Sequence, residues 1–205
     1  MTAPSYWLSA RHYLSSQDRV MAALVERYPE ALSRHSDSFA TLVRAIIGQQ
    51  ISTKAASAVC RRLETALGRI TPQVILAFPT AQLQWVGLSR AKAYCLHHLA
   101  AYYLEHGINE DYWQAKPYPE VRKELLSIKG IGEWTADMFA IFYLNEPDIF
   151  SPGDLGLQKA VSELYLDKAQ IDKKYLTEFC KRWRPYRTVA AWYLWRHLDP
   201  VPICY

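Results

Sequence analysis

Two short segments hold residue types that could do chemistry. In the first, Gly130-Ile131-Gly132 stands directly before Glu133 to Leu144, a stretch without Gly or Pro and rich in helix-compatible apolar residues. Two glycines bracketing one apolar residue let the backbone turn with positive φ. The unpaired N–H groups at the start of the following helix would then face into the turn. Together with the positive end of the helix dipole they suit one anionic oxygen, such as a phosphate, and Lys129 adds charge at the tip. The tripeptide alone would be only a tight turn. In the second segment, Ser151-Pro152-Gly153 delivers Asp154 to the start of Leu155-Gly156-Leu157-Gln158-Lys159. An aspartate there is a good helix N-cap. The same carboxylate, in a stiff loop, can also stabilise positive charge that develops on a substrate.

The elements that position these segments read as helices throughout, with no convincing strand. A capping box at Ser15-Ser16-Gln17-Asp18 predicts a helix to Arg27, and Phe39 to Leu67 reads as two helices broken near Gly48-Gln49-Gln50-Ile51-Ser52, with Ser52 as cap of the second. Short helical pieces follow at 71–78 and 80–86, punctuated by Pro72 and Pro79. A longer helix at 90–105 ends before Gly107. Tyr118 to Ser127 and Glu133 to Leu144 would be the arms of a hairpin, and helices at 155–165, 173–183 and 186–197 complete an all-α chain. No repeat or low-complexity tract interrupts it, and no long linker separates lobes, so any two lobes must pack directly.

Composition bounds the rest. The chain has 205 residues, half of them apolar, with seven Trp and fourteen Tyr, enough for one substantial core or two small lobes. A net charge of +4 and a pI near 8.8 suit a polyanionic partner without requiring one. No apolar run approaches the roughly eighteen residues of a membrane span, and Met1 to Tyr13 lacks the apolar centre of a signal peptide. A cytoplasmic protein with no membrane partner is expected. Cys60, Cys95, Cys180 and Cys204 are scattered, as reduced thiols in a reducing compartment would be. Cys95, His97 and His98 cannot all face one ion on a helix, so no metal is expected.

The longer run Leu126-x-x-Ile128-x-Gly130-Ile131-Gly132-x-Trp134-Thr135-Ala136, with Asp148-Ile149-Phe150-Ser151-Pro152-Gly153-Asp154-Leu155-Gly156-Leu157 after it, resembles the helix-hairpin-helix DNA glycosylase superfamily, within it most of all the 3-methyladenine DNA glycosylase II type. Leu42 to Ser52, Gly87 to Ala93 and Arg184 to Ala190 agree, so the likeness runs from about residue 38 to 197. The resemblance implies two helical lobes with the active cleft between them: a middle lobe over 38–146 and a second from 1–37 plus 147–205. It implies no N-terminal β-rich domain of the kind larger bacterial members carry, for which this sequence leaves no room. The four clustered cysteines of the iron–sulfur members are missing, so no cofactor is expected, although a monovalent cation at the hairpin backbone is compatible with the family.

Residue by residue, the resemblance makes Asp154 the catalytic carboxylate. Members that also cut the DNA strand carry a nucleophilic lysine where this chain has Trp134, which implies a monofunctional enzyme that leaves an abasic site. The indole would stack on a cationic N-alkylated base. Met138 and Ile141 would extend its helix face, although the family often has an aromatic residue at the place of Met138. Leu155 and Tyr186 match further pocket positions. Gln50 falls where the family presents a wedge that fills the gap left by a flipped base, with Gln49 as the alternative. Ser52, Lys54, Lys129, Gly130, Gly132 and Thr135 complete the DNA-contacting set, and Arg90 and Lys92 are further phosphate partners. The implied reaction is release of 3-methyladenine and 7-methylguanine from duplex DNA by a monomer, nucleoid-associated when bound. Release of deaminated or etheno purines, or DNA binding without catalysis, are the competing readings.

Overall fold

The computed structural model describes residues 3–199. Among them are helices α1 (Trp7–Gln17), α2 (Arg19–Arg27), α3 (Ser38–Gly48), α4 (Thr53–Leu67), α5 (Pro72–Ala77), α6 (Thr80–Trp85), α7 (Arg90–Glu105), α8 (Tyr118–Ser127), α9 (Glu133–Phe139), α10 (Leu155–Tyr165), α11 (Lys173–Phe179) and α12 (Arg187–Leu198), and no strand. α9 runs into a π-helical turn at Ala140–Leu144, and α11 into a 3-10 turn at Cys180–Trp183. The protein is all-α, as expected.

The described residues divide into two compact units, residues 35–139 and residues 3–34 with 140–199. The boundaries that the resemblance implies are residues 38 and 146. The second boundary in the structure comes earlier, because the π turn and the loop after it belong with the C-terminal helices. Residues 200–205, Cys204 among them, lie outside the described residues.

In the unit formed by the two ends of the chain, α12 is the central rod. Thr188 to Arg196 are all buried, and α10, α2 and α1 pack around it. Trp7 of α1 meets Trp192 edge-on with centroids 5.2 Å apart and also lies against Tyr193. The N-terminal helices are one more than expected. The predicted helix 15–27 is really the end of α1 and all of α2, broken at Asp18, which is extended at φ −145°. Of the candidate cappers in Ser15-Ser16-Gln17-Asp18, Asp18 caps α2, and both oxygens of its carboxylate accept hydrogen bonds. One oxygen accepts the N–H groups of Val20 and Met21, and the other accepts the Tyr165 hydroxyl at 2.9 Å and the Trp183 indole N–H at 3.0 Å. A burial-compatible anion at that place selects the break.

In the other unit α3 is buried along almost its whole length and supports α4, α7 and α9. α8 is tied to its surroundings by Glu124, whose carboxylate accepts from Tyr102 at 3.0 Å, from Tyr112 and from Lys116. Trp113 is fully enclosed, and its indole N–H donates to the Tyr103 hydroxyl at 2.9 Å, which donates on to Ser38. This network fixes the platform on which the hairpin stands.

Candidate nucleic-acid interface and active-site residues

α8 and α9 form the two arms of the expected hairpin. Arg122 pairs with Glu133 across the arms at 3.0 Å, and the Tyr118 hydroxyl donates to Asp137 at 3.2 Å. Between them the Ile131 N–H closes a turn onto the Ile128 carbonyl at 3.0 Å. Both isoleucines are buried, while Lys129, Gly130 and Gly132 face outward. The two glycines have different reasons to be glycine. Gly130 alone has positive φ, +95°, and a Cβ there would lie 2.6 Å from Cys95 Sγ. Gly132 has no positive φ, and an added Cβ would meet nothing within 4 Å. The expectation of positive φ at both is therefore corrected: Gly130 lets the turn seat on α7, and Gly132 leaves the outer surface bare for close approach. Cys95, beneath the turn, has its thiol pushed up to about 11 by burial, which leaves it an inert packing group.

The break between α3 and α4 lies against the hairpin. Gln49 donates its side-chain amide to Thr135 Oγ at 2.9 Å and to the Gly130 carbonyl at 3.3 Å. Thr135 is 1% exposed, so its side chain holds Gln49 and does not reach outward. Gln50 is the opposite case: it is exposed, makes no side-chain hydrogen bond and is held at φ +56°. Gln50 lies one residue past the C-cap of α3, where helices commonly end in left-handed backbone. Ile51 beside it is 39% exposed. Ser52 caps α4 through the Ala55 N–H at 3.3 Å, as expected, and Lys54 is exposed in the first turn.

Lys92 has a different task from the phosphate contact assigned to it. Its ammonium donates to the carbonyls of Ile47 and Gln49 at 2.8 and 2.7 Å, capping the C-terminus of α3. Burial holds its pKa below the usual lysine range. Arg90, two residues earlier on the same helix, is exposed.

These contacts separate the two glutamines in a measurable way. Gln49→Ala strands a buried hydroxyl and a carbonyl and is expected to cost about 1–3 kcal/mol of stability. Gln50→Ala is expected to leave the melting temperature within error and, on the role that the resemblance implies for it, to slow reaction on duplex more than on single-stranded substrate. Thermal melts with paired duplex and single-strand assays check both; equal losses on the two substrates would remove the wedge role.

Asp154 stands in the other unit, at the start of α10. The loop before it is tightly held. Arg187 binds Asp148 through its carboxylate at 2.7 Å and through its carbonyl at 2.7 Å. The buried Thr188 hydroxyl donates to the Glu146 carbonyl at 2.6 Å and accepts the Ile149 N–H at 2.9 Å. Arg187 and Thr188 belong to the motif Arg184 to Ala190, and their role as loop anchors was not read from the sequence. Further on, the Gln158 amide donates to the Pro152 carbonyl at 2.9 Å, and the Asp154 N–H to the Ser151 carbonyl at 3.0 Å. Asp154 Oδ1 accepts the Leu157 N–H at 2.8 Å, the N-cap bond, and the Trp195 indole N–H at 3.2 Å. A Cβ on Gly156 would come to 3.0 Å from that oxygen. Cap and indole together set the carboxylate's rotamer.

The remaining pocket candidates divide. Leu155 is 76% exposed immediately after Asp154, and Trp134 is half-buried in the first turn of α9. Tyr186 is half-buried, stacked on Tyr6 with centroids 6.4 Å apart and edge-on to Tyr13 at 5.6 Å. Met138 is 0% exposed, as is Ile141. The structure removes both from an open pocket wall: they fill the core, and the π turn beginning at Ala140 shifts the register on which an i+7 face depends. Among the described residues no cluster of three or more His, Cys, Asp or Glu could hold a metal ion, and no helix is long and apolar enough to cross a membrane.

A hairpin with a bare glycine tip, a glutamine break seated against it and a capped aspartate in a braced loop define a class that the comparisons identify. The family model described as HhH-GPD superfamily base excision DNA repair protein matches residues 43–185, and the chain belongs to that family. It is 28% identical over 96% of both chains to the alkylbase DNA glycosidase-like protein mag2 of Schizosaccharomyces pombe. It is 32% identical, over 89% of its own length, to the probable bifunctional transcriptional activator/DNA repair enzyme AlkA of Mycobacterium tuberculosis, and spans 38% of that longer protein. Among solved structures, the 3-methyladenine DNA glycosylase Mag1 of S. pombe in complex with abasic DNA superposes with a TM-score of 0.84. That alignment is at 28% identity and covers 92% of this chain and 95% of Mag1.

Proposed function

We propose that this protein is a monofunctional DNA glycosylase that hydrolyses the N-glycosidic bond of alkylated purines, 3-methyladenine and 7-methylguanine, in duplex DNA. It works as a monomer at the first step of base excision repair. The observation that carries the reading is Asp154: one carboxylate, fixed by the α10 cap and the Trp195 indole, in a loop braced by Arg187 and Thr188.

The chemistry follows from what each residue offers. As the bond from sugar C1′ to the purine nitrogen breaks, its electron pair leaves with the base, and an N-alkylated cationic purine departs neutral. Positive charge develops on the deoxyribose. Asp154 opposes that charge, and water adding to C1′ gives its proton to the carboxylate or to solvent. The half-buried indole of Trp134 offers an electron-rich face to a flat cationic base. The base must first leave the duplex, and Gln50, exposed and held with left-handed backbone, fills the vacated place. Lys129 and the N–H groups beside Gly132 take a phosphate. The Ile128 and Gly130 carbonyls each accept one hydrogen bond and keep a second lone pair that suits a monovalent cation; no step depends on one.

Trp134 supports the subtype, because an indole cannot form a Schiff base with the opened sugar. Incubation with methylated duplex DNA is expected to release alkylpurines and leave an abasic strand, and added borohydride is expected to trap no protein–DNA adduct. A covalent adduct would overturn the monofunctional assignment. DNA binding with no released base would leave a binding module instead, and release confined to deaminated or etheno purines would move the substrate.

A further inference from the structure

The break from Gly48 to Ser52 is poorly closed by its own backbone. Its two turn bonds, from the Gln49 N–H to the Ile46 carbonyl and from the Ile51 N–H to the Gly48 carbonyl, are long at 3.4 and 3.5 Å. The left-handed position is filled by Gln50 and not by the glycine usual after a helix. The Ile47 carbonyl is one of those that a helix end leaves without a partner. What closes the break instead is Lys92 of α7, half-buried, whose ammonium reaches the Ile47 and Gln49 carbonyls at 2.8 and 2.7 Å. Bonds from a charged donor are roughly twice as strong as neutral ones, and a cation is favoured at a helix C-terminus.

Three contacts then form a closed ring within this unit. Lys92 joins α7 to the break. One turn further along the same helix, Cys95 meets Gly130 of the hairpin so closely that a Cβ on the glycine would lie 2.6 Å from its sulfur. Gln49 joins the break to the hairpin through Thr135 and the Gly130 carbonyl. The carbonyl and the side chain of Gln49 are thus held from two different elements, and Gln50 follows it directly. A shift of Gln50 relative to the hairpin tip must open one side of the ring. Support of that kind suits a residue that holds open a stacked duplex, because a yielding mount lets the bases close again.

We propose that Lys92 is a positioning residue for base rotation: its ammonium fixes the break, so that Gln50 and the hairpin tip meet the duplex as one rigid tool. The inference rests on the glycosylase reading and on Gln50 as the residue that fills the vacated place. The ammonium is committed to carbonyls and takes no phosphate.

Single-turnover release of alkylpurines from methylated duplex and from methylated single-stranded DNA, with protein in excess, tests it. Lys92→Met removes the ammonium and keeps the stem. It is expected to lower the ratio of duplex to single-strand rates about tenfold or more, as displacement of a positioning group does, and to leave the salt slope of duplex binding unchanged. Lys92→Arg keeps the charge and the donors and is expected to recover most of that ratio. Lys92→Met combined with Gln50→Ala should be no worse on this ratio than the poorer single variant, because the lysine acts through the glutamine. If Lys92→Met does not fold, Lys92→Gln, which loses the charge and keeps an N–H donor, is read in the same way. A ratio that stays at the wild-type value, full additivity with Gln50→Ala, or a salt slope lowered by about one, the mark of a phosphate contact, each overturns the inference, while base release by the wild-type protein keeps the glycosylase reading. A wild-type protein that releases no base from either substrate removes both.

Discussion

Asp154→Asn is expected to fold and bind DNA as the wild-type protein does, and to lose base release by a factor of at least about 10². The substitution keeps an oxygen that can accept the Leu157 N–H and the Trp195 indole N–H, the two bonds that orient this side chain. It removes only the charge. If the residue were no more than a cap, Asn would be an equal replacement, because the two rank alike at N-cap positions. Asp154→Ala adds a structural loss, about 1 kcal/mol for the cap, together with a deprived indole. It should melt a few degrees lower, about 2–4 °C per kcal/mol for a chain of this size. The pair of variants thus separates the cap from the charge: melting temperature distinguishes Ala from Asn, while loss of base release is common to both.

The second large effect divides the hairpin glycines. Gly130→Ala forces a side chain into positive φ and places its Cβ against Cys95 Sγ and Cβ, at 2.6 and 2.8 Å. Left-handed backbone costs about 1–2 kcal/mol for such a residue and overpacking about 1–3. A loss of roughly 2–5 kcal/mol is expected, read as a lower urea midpoint. Gly132→Ala meets no neighbour and has ordinary φ, so stability should hold or rise by about 0.4–1 kcal/mol. On the proposed phosphate grip its methyl group occupies the place of approach, and duplex affinity should fall about tenfold, the loss of a charge-assisted contact worth about 1.5 kcal/mol. Gly132→Ala that binds like wild type would show that the tip is a turn and not a grip.

Much of this arrangement was legible in local sequence. The hairpin follows from Gly130, Gly132 and the uninterrupted helix behind them, and Asp154 as a cap follows from Ser-Pro-Gly before an apolar helix. What was hidden depends on contacts distant in the chain. Gln49 and Gln50 are equivalent as a dipeptide; only Thr135 and Gly130, more than eighty positions away, turn one inward and leave the other exposed. Lys92 looks like any surface lysine until its ammonium reaches the end of α3. Met138 lies on the expected helix face but is fully buried there, and periodicity does not report which apolar residues stay accessible. The start of α2 was misplaced because Ser15, Ser16 and Asp18 can all cap, and the choice is made by Tyr165 and Trp183.

On the proposed function, a charged Asp154 drives release of an alkylated purine. Its most direct test is a single-turnover time course of free 3-methyladenine and 7-methylguanine from methylated duplex DNA. Wild type and Asp154→Asn are each held in excess over DNA to which both are shown to bind. Release is expected from the wild-type protein, and release at least about 10² slower from the variant at equal occupancy. Release by Asp154→Asn at the wild-type rate would contradict it.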